Sequence, residues 1–490
     1  MAAENIDKGS LVRGLGLVAA ISVIIGNIIG TGVFLKARVM TCNVGSPGWV
    51  IAAWVAAGLL SLAGALTYAE LTAMRPVASA QNIFLEEAYG KPLSFLFGWM
   101  QILIARPGSQ AAAAVAFAIG LNDFLDGKLA KTLGGFDVFG THFEFTSLQV
   151  IGVMVIFIFT TLNCLSVSLA GRIATAATFV KIALIVFVAG GAFVLVSGNF
   201  VHFSQIATGG VCEGVGDAVK YGSPTYSFLG GFAAAMLGAL WGYDGWDNLT
   251  FVAGEVKDPG RNIPRAIIGS MFLVIVLYVI AQLAYYYVLE PTTIASVSTN
   301  SSVAKTVVSM FFGGNATSVA TGAAVAFFTV GLMLSSMGTL HTSLMSAARI
   351  PYRMAKEGFL FKTFAKTSIQ HVPVSSVLLA GALAAILTLI GSFDTLTDYV
   401  VFAMWLFYAL ITGSIFVYRR KFPHLERPYR AWGYPVVPVV FLLVAAWLIY
   451  RTIMDSPKQA VTGIVLILVG LPVHWYFTNR RGAGGAPDEA

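Results

Sequence analysis

Charge is what this sequence has least of. Only 11 % of its 490 residues are Asp, Glu, Lys or Arg, against about 25 % in an ordinary soluble domain, which excludes a water-soluble globular protein. The six histidines are scattered, and no HExxH, Walker A or G-x-S-x-G pattern occurs, so the usual metalloprotease, nucleotide-binding and hydrolase signatures are missing. The expectation is a protein that is not an enzyme and uses no metal and no cofactor. Cysteine is equally sparse. Cys42, Cys164 and Cys212 are isolated and without metal-ligand spacing, and their odd number argues against a disulfide framework.

What the chain has instead is apolar length. Hydrophobic residues make up 57 % of it, the mean hydropathy is +0.80, and stretches of about 20 residues, enough to cross a bilayer as a helix, recur throughout. They fall near 14–36, 47–74, 93–121, 147–163, 173–198, 228–253, 265–289, 318–348, 374–391, 396–418, 434–453 and 459–478. The fold expected is therefore all-α and integral to the membrane, with 12 transmembrane helices and little left for a soluble domain. The first stretch is too long, and too well supported by the later ones, for a cleaved signal peptide.

Basic residues orient these spans, because cytoplasmic loops hold the excess of Lys and Arg. Arg349, Arg353, Lys356, Lys362 and Lys366 cluster in one loop, and Arg419, Arg420, Lys421, Arg427 and Arg430 in another. Both clusters fall inside if the N-terminus is inside, giving a multi-pass protein of the cell membrane with both termini cytoplasmic. The net charge of +7 then reflects topology: the partner it implies is the lipid bilayer, with no nucleic acid.

Two spans carry residues that a lipid-facing helix does not want. Residues 26–34 read GNIIGTGVF. Glycine costs about 1 kcal/mol relative to alanine inside a helix, and an opened turn in lipid leaves backbone groups unsatisfied. Gly26 and Gly30 form a GxxxG pattern, which close helix packing explains. Packing does not call for Gly32, nor for polar Asn27 and Thr31. The sixth span reads LGALWGYDGWDN at 237–248, again with glycines and with Asp244 and Asp247. Gly-interrupted spans at corresponding places of two five-helix halves are the sequence sign of an inverted-repeat transporter, with substrate held between them at mid-membrane. At the first break, N–H groups freed at Thr31 and Gly32 lie at a half-helix N-terminus and suit a carboxylate. Unpaired carbonyls near Ile28 and from Trp241 to Asp244 suit an ammonium. Together they describe the zwitterionic end of an α-amino acid.

These motifs also carry a resemblance. GNIIGTGVFLK, GSPGW at 45–49, GALTYAEL at 64–71, RPGSQ at 106–110, WGYDGWDNLTFVAGEVKDPGRNIPRAI at 241–267, SAARIPYRMAKEGFL at 346–360 and ERPYR at 426–430 resemble the amino acid–polyamine–organocation (APC) transporters, in particular a prokaryotic member of the L-type amino acid transporter branch. The resemblance covers nearly the whole chain in order. It implies a 5+5 inverted repeat of the LeuT/APC kind plus two C-terminal helices: a first repeat in 1–200, broken near 27–32; a second, inverted one in 201–420, broken near 241–247; and two added helices with the tail in 421–490. It also implies sodium-independent movement of L-amino acids, often by exchange, with neutral substrates expected here and proton-coupled or cationic transport as the alternative.

Carried over residue by residue, the family's carboxylate contacts fall on Gly30, Thr31 and Gly32, its ammonium contacts on the carbonyls of Ile28, Trp241 and Asp244, and its outer aromatic gate on Trp241. With neighbouring Asn27, Gly242, Tyr243 and Asp247 these make up the candidate substrate-binding set. Lys181 lies nine residues beyond Arg172, roughly 13 Å along a helix at 1.5 Å per residue, too deep for an interfacial lysine. In resembling sodium-independent transporters a lysine stands here where sodium-coupled relatives hold their ion; it would bridge helices one and eight and is a candidate proton carrier. Asp247, where many members have asparagine, either attracts a cationic side chain from the pocket or faces away as a structural acceptor or proton site. Glu70, Arg106 and Glu255 read as helix-tying charges. The animal branch joins a single-pass heavy chain through a cysteine between spans three and four. Residues 122–146 contain none, so no disulfide-linked heavy chain is expected, and with short tails the chain reads as a self-sufficient prokaryotic carrier. A channel, the rival of a different class, needs a continuous polar pore, whereas the polar groups here cluster at one depth.

Overall fold

In a bilayer every backbone N–H and C=O must find its partner within the segment, and that requirement makes helices of nearly every apolar stretch. The computed structural model describes residues 14–77, 79–138, 141–165, 170–315, 317–368 and 372–483. The terminal residues 1–13 and 484–490, for which the sequence implies a cytoplasmic location, lie outside the described residues. The chain opens with three short helices, α1 (Leu17–Ile28), α2 (Gly32–Leu35) and α3 (Ala37–Val44), and then α4 (Pro47–Met74), α5 (Ala80–Tyr89), α6 (Lys91–Met100) and α7 (Arg106–Phe124). A β-hairpin of β1 (Thr132–Val138) and β2 (Thr141–Thr146) leads to α8 (Ser147–Leu165) and α9 (Ala170–Leu195). Next come α10 (Phe228–Tyr243), α11 (Pro259–Val288), α12 (Pro291–Ala295), α13 (Val303–Val308), α14 (Val319–Ala347) and α15 (Arg349–Lys356). The chain finishes with α16 (Val374–Ile390), α17 (Phe393–Lys421), α18 (Val436–Asp455), α19 (Pro457–Leu468) and α20 (Gly470–Ala483).

Ten segments among the described residues are long and apolar enough to cross a membrane, and two shorter apolar helices, α10 and α16, fall within the sixth and ninth expected spans. Their burial grades from centre to rim. Lys91–Phe124 is the most enclosed, whereas Val436–Asp455 and Ala460–Asn479 turn most of their residues outward. That outward surface is apolar, with Phe157, Val194, Leu443 and Trp475 among its exposed side chains, as a lipid-facing rim requires.

Three features depart from the sequence reading. The sixth span is not helical to 253: α10 stops at Tyr243, and 3₁₀ turns follow at Trp246–Phe251 and Ala253–Glu255. Gly245 sits at φ +109°, a conformation that favours glycine, and it turns the chain out of the helix there. Secondly, α5 and the hairpin, outside the hydrophobic pattern, escaped notice, as did a π-helical turn at Gln101–Ala105 within the third expected span, just before Arg106. Thirdly, Cys42 and Cys212 form a disulfide across 170 residues of sequence, against the expectation drawn from an odd cysteine count. The odd residue is simply Cys164, which remains free.

Candidate functional site

The break in the first span has a defined extent. Ile29 still donates to Ile25 O, and the next backbone bonds run from Phe34 and Leu35 to Thr31 O. Among the described residues, the N–H groups of Gly30, Thr31, Gly32 and Val33 enter no backbone hydrogen bond. They gather at the start of α2, where the helix dipole adds to their pull on an anion. The opposite half-helix ends in carbonyls that are already in use: Gly26 O accepts from Lys181 Nζ at 2.7 Å and Ile28 O from the Tyr278 hydroxyl at 3.1 Å. Tyr285, two turns on along α11, donates to Val33 O at 3.2 Å. Two tyrosines of α11 thus hold the backbone on either side of the gap.

The second break lies directly against the first. A Cβ at Gly32 would come within 2.9 Å of both Gly242 Cα and Trp241 Cδ1, and one at Gly245 within 3.0 Å of the Asn27 carbonyl. Only glycine lets the two interrupted chains approach so closely. Asp244 N turns back to Trp241 O at 3.2 Å, and the Asp244 carboxylate accepts from Tyr408 of α17 at 2.8 Å. Tyr243 is fully buried against Trp54 and Tyr278, which makes it a wall of the core. Of the candidate set, Asn27, Ile28, Gly30, Thr31, Gly32, Trp241, Gly242 and Asp244 therefore meet around one crossing.

Asp247 is placed differently. Its Oδ2 accepts from Gln81 Nε2 of α5 at 2.7 Å, its backbone oxygen accepts from Thr250 Oγ1 at 2.7 Å, and only 2 % of the residue is exposed. Lys181 is buried as deeply; its ammonium joins Gly26 O of α1 to Thr339 Oγ1 of α14, the latter at 2.9 Å.

One side of the crossing is open. A cavity of about 1630 Å³ has Asn27, Arg106, Asn248 and Phe251 at its deep end and widens past Asn163 toward Arg349, Arg353, Lys356 and Lys362. Arg106 donates to Gln101 Oε1 at 3.1 Å and to Asn248 Oδ1 at 3.4 Å, with its guanidinium over the Phe251 ring at 5.0 Å. It ties the π-helical turn to the 3₁₀ segment through neutral amides. Glu70 does tie helices by charge, with Arg419 at 2.7 Å and the Ala431 N–H at 2.6 Å.

The other side is shut in layers. Trp241 meets Phe393 edge-on, 6.4 Å between ring centres. Above them Lys36 pairs with Asp394 at 3.0 Å and Asp398 at 3.2 Å, and Arg38 with Asp394 at 3.0 Å; the disulfide lies beyond. Sequence reading missed Gln81, Asn248, Tyr278, Tyr285 and Tyr408. The spacing of Tyr278, Gln282 and Tyr285 within an apolar span was a usable signal for a polar stripe; nothing local marked Tyr408 or Gln81.

Interrupted helices crossed at mid-span, with a polar cavity on one side and layered closure on the other, are the arrangement of a multi-pass membrane carrier. The family model for amino acid permeases matches residues 15–474, and the chain belongs to that family. It is 27 % identical over 478 residues to the b(0,+)-type amino acid transporter 1 of Mus musculus, covering 96 % of this chain and 89 % of that protein. It is 28 % identical over 483 residues to the serine/threonine exchanger SteT of Bacillus subtilis (strain 168), covering 97 % and 99 %. The large neutral amino acids transporter small subunit 2 of Mus musculus is 28 % identical over 471 residues, covering 95 % and 81 %.

Proposed function

We propose that this permease exchanges neutral L-amino acids across the cell membrane without sodium, through twelve crossings arranged as two inverted five-helix repeats, in 1–200 and 201–420, with two further helices in 421–490. The observation that carries the reading is the row of N–H groups at 30–33 without a backbone partner, of which Gly30 meets the Tyr278 hydroxyl, facing the end of α10 across the crossing: a carboxylate cradle beside the Asp244 carbonyl, as an α-amino acid needs. Relatives named as an exchanger of serine and threonine and as a carrier of large neutral amino acids favour the same substrates. Neutral preference is further supported by Asp247, which turns to Gln81 and away from the cavity, and by Arg106 at the cavity's deep end, which repels a cationic side chain.

Sodium independence rests on Lys181, whose ammonium bridges Gly26 O and Thr339 as a bound cation would. Orientation follows from two opposed signals. The basic loop from Arg349 to Lys362 lines the cavity mouth, which puts that end in the cytoplasm, and the disulfide lies at the other end, where an oxidising exterior preserves it. With Cys42 and Cys212 bonded to each other and no cysteine in the hairpin loop, the carrier works without a disulfide-linked heavy chain.

Proteoliposomes in sodium-free buffer test this, with labelled L-alanine, L-leucine or L-arginine outside and with or without internal amino acid. Saturable uptake of the neutral labels that needs internal substrate is expected. Uptake that never saturates would make the protein a channel, an absolute need for sodium would remove the role given to Lys181, and preference for L-arginine would overturn the neutral reading.

A further inference from the structure

Gln81 presents an incomplete pattern. One of its amide N–H groups goes to Asp247 Oδ2 at 2.7 Å and the other to Thr250 Oγ1 at 2.8 Å. The amide cannot be turned over, because the Thr250 hydroxyl already gives its hydrogen to Asp247 O at 2.7 Å and so has none for an amide oxygen. That leaves Gln81 Oε1 buried with no partner, on a residue that is 0 % exposed. A buried acceptor left unmade costs about 1–3 kcal/mol.

An amide and a carboxylic acid pair head to tail through two bonds: amide N–H to acid C=O, and acid O–H to amide C=O. The first is present here. The second is the one that Gln81 Oε1 lacks, and a neutral Asp247 supplies it. Charge points the same way. Facing Asp247 are Asp244 from its own segment, Arg106 from α7, Tyr68 from α4, Gln81 from α5 and Tyr408 from α17. One guanidinium thus serves two carboxylates in a buried setting, and the single hydroxyl hydrogen of Tyr408, within reach of both acids, goes to Asp244 at 2.8 Å. A second ionised acid would stand there without a counter-charge. Tyr68 Oη is likewise buried and unpartnered at this spot.

We propose that Asp247 is a proton site: it holds one proton, donated to Gln81 Oε1, and releases it to cavity water beside Asn248 during the transport cycle. The proton ties the 3₁₀ segment after the second break to α5. Losing it sets a carboxylate oxygen against the Gln81 carbonyl and frees that segment to move. The coupled ligand is therefore H⁺, and the inference rests on the transport reading above while being measurable apart from it.

The test is infrared spectroscopy of the full chain in liposomes, with amino acid exchange assayed on the same preparation across pH. The spectrum of the wild type minus that of Asp247→Asn, in which all other carboxyls cancel, is expected to show one protonated-carboxyl C=O band. The amide introduced by Asp247→Asn can pair with that of Gln81 but has no proton to lose, so the pH dependence of exchange is expected to flatten. Gln81→Leu keeps the acid and removes its partner; it is expected to move the band to higher frequency, and it serves if the Asp247 variant does not fold. A carboxylate band in place of the acid band, or a pH profile the same in both proteins, overturns the proposal. If the wild type exchanges nothing at any pH, the transport reading falls, and the infrared band still decides the proton site.

Discussion

The two ends of this molecule are closed by different means. At the cavity end the walls stand apart around about 1630 Å³, and basic side chains line the mouth. At the disulfide end α2, α3 and α17 are drawn together by Lys36, Arg38, Asp394 and Asp398, with the Lys36 side chain only 1 % exposed. The contrast teaches that the closed end joins a charge cluster to apolar packing, with Leu35, Phe393 and Leu396 buried together beneath the ions. Buried ions are poor at adding stability but costly to leave single, so a cluster of two cations and two anions makes a closure that holds while complete and opens when water reaches it. An apolar plug of the same size would hold and not release.

The largest effect is expected where that cluster loses its shared anion. Asp394→Ala leaves Lys36 with the half-exposed Asp398 and Arg38 with Glu213 O, and because the lost carboxylate is itself 26 % exposed the cost falls below the about 3–5 kcal/mol of a fully buried ion pair. The closed end should open. In a Cys164→Ser background, a cysteine placed at Leu396, buried in the same cluster as Phe393, should then react with a membrane-impermeant thiol reagent much faster from the disulfide side. Unchanged labelling would mean that the Trp241–Phe393 contact closes this end without help from the ions.

A smaller loss is expected at the depth where the two ends meet. Lys181→Met removes the ammonium from Gly26 O and Thr339. A hydrogen bond to a charged group contributes about 1.5–3 kcal/mol, and each 1.4 kcal/mol is about tenfold, so amino acid exchange in liposomes should slow by roughly tenfold to a hundredfold with the protein still folded. An exchange rate equal to the wild type would show that α1 keeps its place against α9 and α14 through packing alone.

How legible all this was in the sequence depended on the length scale of each cause. Spans were legible because bilayer thickness sets helix length; the expected span 47–74 coincides to the residue with α4. The breaks were legible because glycines and polar residues have no reason to share an apolar span. The direction of Asp247 was not. A continuous helix would set it on the face of Asp244, three residues earlier, and the turn at Gly245 that redirects it depends on the close approach of Asn27 from another helix. Lys36 stands at the end of an expected span, a place where lysines reach water, yet it is buried because α3 continues beyond it and α17 brings two carboxylates to it. The disulfide joins α3 to the segment between α9 and α10, and counting cysteines says nothing about which of them share an end.

That disulfide gives the smallest expected effect on exchange, and the one that separates the two kinds of hold at the closed end. Cys42→Ser removes the cross-link but not the other ties between α3 and the 199–227 segment: Tyr221 N to Cys42 O at 2.8 Å, Ala207 N to Gly45 O at 2.7 Å, and Arg38 Nη1 to Glu213 O at 2.8 Å. These keep the segment riding on α3 as it moves. Unfolding does feel the cross-link, since losing a native disulfide costs about 2–5 kcal/mol; the variant should melt at a lower temperature. Exchange should change by less than about twofold, under roughly 0.5 kcal/mol at about 1.4 kcal/mol per tenfold. A drop as deep as that of Lys181→Met would instead place the 199–227 segment within the moving closure, and the ion cluster would then share with the disulfide the work of shutting that end.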